Sequence, residues 1–143
     1  MNLKQIFPKA SNSFLKANAA VLTHPDDQTQ PIAAAAHGAG PFKTKSEAEF
    51  ADILEAMKIR GEIAHYVYQG ITLRYANGQL RYTPDFVVFP VMITFKLIEV
   101  KGRYVPPTFW QHARQRFLAC KAEWPEFLFE MHQKTADGWC QIL

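Results

Sequence analysis

The chain has 143 residues, a net charge of +3, 48% hydrophobic and 20% charged residues, a mix that excludes wholesale disorder and argues for one domain with a tail. Two cysteines, Cys120 and Cys140, exclude a disulfide-dense scaffold and a four-thiolate zinc knuckle. Lys4, Lys9 and Lys16 interrupt the N-terminal stretch, and Pro90 and Thr94 interrupt the longest apolar run, Phe86 to Phe95, so neither a signal peptide nor a membrane span of about 18 residues is expected. These features predict a reduced, cytoplasmic protein without membrane contact.

In chain order, residues 1–43 hold four prolines, an alanine run and His37-Gly38-Ala39-Gly40, which reads as a flexible arm with a short helix from Ser13 to Leu22. Residues 44–143 form the expected domain. Thr44 and Glu47 have capping-box spacing, and Phe50, Ile53, Leu54 and Met57 recur at helical spacing up to Gly61. Ile63 to Tyr75 predicts a strand, Asn77-Gly78 a hairpin turn, Leu80 to Phe89 a second strand, and Val91 to Val100 a third. Thr108 is placed to cap a second helix, Phe109 to Glu123, whose apolar side is Trp110, Ala113, Phe117 and Cys120. Phe127 to His132 predicts a fourth strand and Trp139 to Ile142 a short edge strand. The fold class is α/β: a mixed central sheet of four or five strands flanked by two helices, in the order α-β-β-β-α-β.

The residues with chemical potential lie on the second and third strands. Glu99 and Lys101 share a strand face, because side chains alternate. Asp85 precedes the apolar run on the neighbouring strand. Two carboxylates brought together must bind a cation or take up a proton. Mg²⁺ wants hard oxygen ligands and keeps several waters, so Asp85, Glu99 and the carbonyl of Val100 suffice to hold one. Such an ion polarises a phosphodiester oxygen and activates water, while Lys101 orients that water or stabilises the developing charge. Pro25-Asp26 is also a Pro-Asp pair, but without strands around it. An Asp in a turn beside a surface Glu–Lys pair is the competing explanation.

The segments Thr44-Lys45-Ser46-Glu47-Ala48-Glu49-Phe50, Gln69 before Ile71-Thr72-Leu73, Tyr82-Thr83-Pro84-Asp85-Phe86, and Ile98-Glu99-Val100-Lys101-Gly102 resemble the PD-(D/E)XK nuclease superfamily. More narrowly, they are similar to a bacteriophage family described as Holliday-junction-resolvase-like endonucleases. The resemblance covers Thr44 to Phe129 and leaves out the arm. It implies a restriction-endonuclease-like core, and Mg²⁺-dependent cleavage, with Mn²⁺ as a substitute, that leaves a 5′-phosphate and a 3′-hydroxyl. It makes Glu47, Asp85, Glu99 and Lys101 the catalytic set, with Asp85, Glu99, Val100 and Glu47 at the metal. A role in DNA recombination or repair inside a bacterial host goes with it. Thr44 stands where serine is usual, and Phe89-Pro90-Val91-Met92 lacks the usual Asp-Gly turn. Glu47 is favoured over Glu49 because it shares a face with Phe50 and Leu54, whereas Glu49 groups with Asp52 on a solvated side; a plain capping glutamate is the competing role for Glu47.

DNA is the expected partner. Arg103, Arg114 and Arg116 are the candidate phosphate contacts, Gln69 joins them as a DNA-binding candidate, and Tyr104, Phe109 and Trp110 can stack on unpaired bases. Four-way junctions need two symmetric cuts, so a homodimer is expected. The alternatives are a nuclease of the same core acting on plain or damaged duplex, and a non-catalytic DNA-binding module. The histidines lack zinc-type spacing with the cysteines, and Gly38-Ala39-Gly40 lacks the rest of a phosphate loop. The +3 is unevenly spread: residues 1–45 carry five lysines against Asp26 and Asp27, and the remainder is balanced. Within it, Lys101, Arg103, Arg114, Arg116 and Lys121 occur with no acid among residues 100–121.

Overall fold

The computed structural model describes Leu15, Lys16, residues 41–92 and residues 94–143. Besides the helical Leu15 and Lys16, the described residues form two helices, α1 (Lys45–Ile59) and α2 (Pro107–Glu123), and seven strands. These are β1 (Ile63–Tyr68), β2 (Leu73–Tyr75), β3 (Leu80–Tyr82), β4 (Phe86–Pro90), β5 (Lys96–Lys101), β6 (Leu128–Thr135) and β7 (Gly138–Gln141). The class is α/β, with a mixed five-stranded sheet in the order β1-β4-β5-β6-β7 and a separate β2-β3 hairpin. Only β5 and β6 run parallel, and α2 is the crossover that joins them, as a parallel pair requires. Strand β7 lies at the sheet edge, as its sequence predicts.

The alternation of apolar residues assigns the two faces. Phe86, Val88, Ile98 and Val100 pack with Phe50, Ala51 and Leu54 of α1 and with Ile63 and Tyr66 of β1. Val87, Leu97, Phe129 and Met131 pack with Phe117 and Cys120 of α2 and with Leu73, Tyr75 and Tyr82 of the hairpin. One helix therefore covers each face. Trp124 Nε1 donates to the Arg74 carbonyl at 2.9 Å, and the Ala76 N–H donates to Glu123 Oε2 at 2.7 Å, tying the hairpin to the end of α2.

Several expected boundaries change. The first expected strand, Ile63 to Tyr75, is two strands: Gln69 takes a φ of 49°, and its N–H donates to the Asp85 carbonyl at 2.8 Å, turning the chain out of the sheet. The second, Leu80 to Phe89, also divides, because Leu80–Tyr82 pairs with β2 and Phe86–Pro90 with β1 and β5. Pro84-Asp85 lies in the link between them, not inside a strand. The third begins at Lys96 instead of Val91; Val91 and Met92 are exposed and outside the ladder. The three expected middle strands are thus five. The Asn77-Gly78 turn is present, both residues having positive φ (55° and 81°), as a primed hairpin turn demands. Helix α2 starts at Pro107 with Pro106 as its N-cap and no side-chain cap bond, instead of with a Thr108 cap; proline is pre-set for the first turn.

The expected arm, residues 1–43, lies mostly outside the described residues. Leu15 is helical and buried in the cluster beneath α2, so at that point the segment contributes to the core. Phe42 stacks edge-on against Tyr68, with ring centroids 4.9 Å apart, so the last residues before Thr44 also pack on the sheet. Among the described residues no helix is long and apolar enough to cross a membrane.

Candidate active site

The antiparallel register of β4 and β5 pairs Phe86 with Ile98; carried one residue further, it sets Asp85 opposite Glu99. This is how residues fourteen apart in sequence meet at one end of the sheet. Asp85 Oδ2 accepts the Val100 N–H at 2.8 Å. Lys101 Nζ donates to Glu99 Oε1 at 2.5 Å, as expected for two residues on one strand face. The second oxygen, Glu99 Oε2, accepts the Tyr82 hydroxyl at 2.8 Å. Asp85 and Glu99 are both buried.

Burial and the negative charge of Glu99 push the Asp85 carboxyl up to about 7, with Glu47 adding to the repulsion; the Val100 N–H and Lys101 oppose it without cancelling it. Burial, together with the charges of Glu99 and Asp85, also drives the Tyr82 phenol far above its ordinary range, so it serves Glu99 as a neutral donor. The site holds more negative charge than its one lysine offsets.

Glu47 is buried on the sheet-facing side of α1, the face expected for it. The capping box is complete: the Glu47 N–H donates to Thr44 Oγ1 at 3.2 Å, and Glu47 Oε2 accepts the Thr44 N–H at 3.1 Å. The same oxygen accepts the Lys43 N–H and the Tyr68 hydroxyl, each at 2.8 Å. Glu47 therefore has a structural role that its cap accounts for, and it reaches Asp85 through its field. Glu49, expected on a solvated side, instead pairs with Lys134 of β6. The start of α1 lies close to the end of β5: a Cβ at Gly102 would come within 2.9 Å of Ser46 Oγ, a hydroxyl that would have to turn aside.

Among the described residues, no three His, Cys, Asp or Glu side chains gather as a ready-made cation cage. Within the expected set of Asp85, Glu99, Val100 and Glu47, Asp85, Glu99 and the Val100 carbonyl form a smaller group of two facing carboxylates and a backbone carbonyl, while Glu47 has its Oε2 engaged in the cap. That smaller set still suits Mg²⁺, which is held through one or two carboxylates and keeps its waters. The surplus negative charge and the raised Asp85 are what a cation would relieve.

Arg103 lies beyond β5, its guanidinium 5.5 Å from the centre of the exposed Tyr104 ring. Arg114 and Arg116 are exposed on α2. Lys121, the last of the basic residues in 100–121, sits 5.9 Å from the centre of the Phe117 ring. Gln69, expected to bind DNA, has a backbone role here: its N–H fixes the Asp85 carbonyl. Sequence reasoning gave no role to Tyr82 and Tyr68, the hydroxyl donors to Glu99 and Glu47. Tyr82 lies three residues before Asp85, a spacing that could have flagged it. Compared with family models, curated proteins and solved structures, the chain matches none.

Proposed function

We propose that this protein is a divalent-metal-dependent deoxyribonuclease with a restriction-endonuclease-like core, acting on branched or otherwise structured DNA as a homodimer. One observation carries the reading: Asp85 and Glu99 face each other, buried, at the end of a mixed sheet, with Lys101 on Glu99 and too little positive charge to balance them. Burying carboxylates in that way is costly unless a cation completes the site.

Asp85 and Glu99, with the Val100 carbonyl, would hold Mg²⁺ or Mn²⁺. The bound ion supplies charge neutralisation and Lewis acidity toward a phosphodiester. Lys101 provides the ammonium beside the scissile phosphate and stabilises charge that develops on its oxygens. Tyr82 keeps Glu99 oriented, and the Val100 N–H does the same for Asp85. Glu47 anchors the start of α1 and raises the negative potential at Asp85. Hydrolysis adds water across the bond, breaking the link to the 3′ oxygen and leaving a 5′-phosphate.

The test is cleavage of a panel of four-way junctions, flaps, single strands and linear duplex with Mg²⁺ present. Asp85→Ala and Lys101→Ala are expected to bind DNA and to lose cleavage by about a thousandfold or more. Undiminished cleavage by both variants overturns the reading. Calorimetric titration adds a second measurement: absence of Mg²⁺ or Mn²⁺ binding that depends on Asp85 and Glu99 leaves a DNA-binding module.

A further inference from the structure

Two large aromatic rings, Tyr104 and Phe109, are exposed in the chain that follows the candidate site. Tyr104 is 86% exposed and Phe109 is 69% exposed, on the segment that leads from β5 into α2. Large rings held in water cost free energy, and soluble surfaces seldom carry them side by side without use. Tyr104 borders a groove of about 630 Å³, together with Arg103, Trp110 and Gln133, which is within the size range of small-molecule sites. The groove abuts the candidate active site: Gln133 of β6 pairs in register with Lys101, and its amide reaches the Gly102 carbonyl at 3.5 Å. A second hollow of about 420 Å³ lies against Phe109 itself, bounded also by His112, Gln115 and Arg116. Phe109, His112 and Arg116 are three and four residues apart, one stripe along roughly 10 Å of α2.

The surface thus alternates aromatic planes with cations, starting at Lys101, and residues 100–121 contain no acid. That alternation matches a single strand, whose bases offer free π-faces and whose phosphates need positive partners. A continuous duplex keeps its base faces inside the stack and leaves exposed rings nothing to cover. Arg103 over Tyr104 already forms the guanidinium–aromatic layer on which a base can add.

We infer that the Arg103–Tyr104–Trp110–Gln133 groove and the Phe109–Arg116 stripe form a binding track for unpaired DNA, which delivers a single-stranded segment to Lys101. The inference rests on the nuclease reading and narrows its substrate class to DNA with unpaired bases at the cut. Tyr104 and Phe109 grip bases by stacking, Arg103 and Arg116 hold phosphates, and the Gln133 amide meets a base edge.

Binding is read by fluorescence anisotropy in EDTA, where hydrolysis plays no part, with a short oligo(dT) and a blunt duplex as probes at equal salt. The wild-type protein is expected to prefer oligo(dT). The double variant Tyr104→Ala/Phe109→Ala is expected to lose about tenfold or more in oligo(dT) affinity and less than about twofold on duplex. Tyr104→Phe, which keeps the ring, is expected to bind like wild type. Both positions are exposed, so the substitutions leave the core intact. Equal losses on the two probes, or no preference for oligo(dT), overturn the track. If Asp85→Ala cleaves as well as wild type while the oligo(dT) preference and its loss in the double variant persist, the nuclease reading falls and the binding track stands. If cleavage needs Asp85 but the preference is absent, the opposite holds.

Discussion

Strand β5 carries a charge cluster at each end, and the two are built on opposite principles. From its start, Lys96 Nζ reaches Glu130 Oε1 of β6 at 2.7 Å, and His132 Nε2, further along β6 opposite Val100, lies 3.1 Å from Glu130 Oε2. One carboxylate there has two nitrogen partners. Burial raises the Glu130 carboxyl, but the hydrogen bonds and charges of Lys96 and His132 outweigh it and hold the group below its ordinary value. At the far end, Lys101 faces both Glu99 and Asp85, with Glu47 contributing from α1, and Asp85 is driven upward. The same strand thus displays a cluster that closes on itself and one left short of positive charge. Satisfied ion pairs serve the fold; an unbalanced buried set is a place where a ligand is expected.

The largest effect separates the two ends by activity. Glu99→Gln is expected to lower Mg²⁺-dependent DNA cleavage by about two to four orders of magnitude, while Glu130→Gln leaves it within about twofold, both read in one nicking assay. Equal losses at both ends would erase the functional distinction.

The next effect concerns stability and its pH dependence. The folded Asp85 titrates near 7 against an ordinary 3.8, so the metal-free fold favours the protonated acid. That contribution is fully present below about pH 4 and is lost as pH rises through about 7. Asp85→Asn, neutral throughout, is therefore expected to be more stable than wild type by on the order of 2 kcal/mol above about pH 8, with the gap closing near pH 4, in urea titrations with EDTA present. Mg²⁺ is expected to stabilise wild type and leave Asp85→Asn unmoved.

Glu130 has the opposite sign. Its lowered carboxyl contributes stability above the ordinary value of 4.5 and loses it as pH falls through the folded value. Glu130→Gln is expected to cost about 1 kcal/mol at neutral pH and nothing under acid, measured by the same titrations. The smallest effect is Tyr82→Phe, which removes the hydroxyl donor to Glu99 Oε2 and costs about 1 kcal/mol or less, with a few-fold drop in cleavage.

Local rules were legible in the chain wherever partners lie within a few residues. The Thr44–Glu47 capping box, the buried face of α1 and the Asn77-Gly78 turn depend on neighbours within one turn of chain, and each is present. The shared face of Glu99 and Lys101 follows from a two-residue period, and the two meet. Strand limits were less legible, because β propensity does not say which sheet a segment joins. Ile71-Thr72-Leu73 reads as a continuation of β1, yet the turn at Gln69 sends Leu73 into the hairpin. Glu49 looked solvated because its partner, Lys134, is 85 residues away on β6.

The sequence by itself determined the α/β class, the capped first helix, a cysteine count too low for a disulfide-dense scaffold or a four-thiolate zinc knuckle, and the acidic and basic residue types available for function. Tertiary structure decided which of them act together. Register across β4 and β5 faces Asp85 with Glu99, the hairpin brings Tyr82 onto Glu99, and the parallel β5–β6 pair sets Gln133 beside Lys101. The physical reason is that periodicity and capping are short-range and written into consecutive residues, whereas strand pairing is chosen by the burial of two apolar faces at once. That choice brings like charges together at one end of β5 and pairs them off at the other.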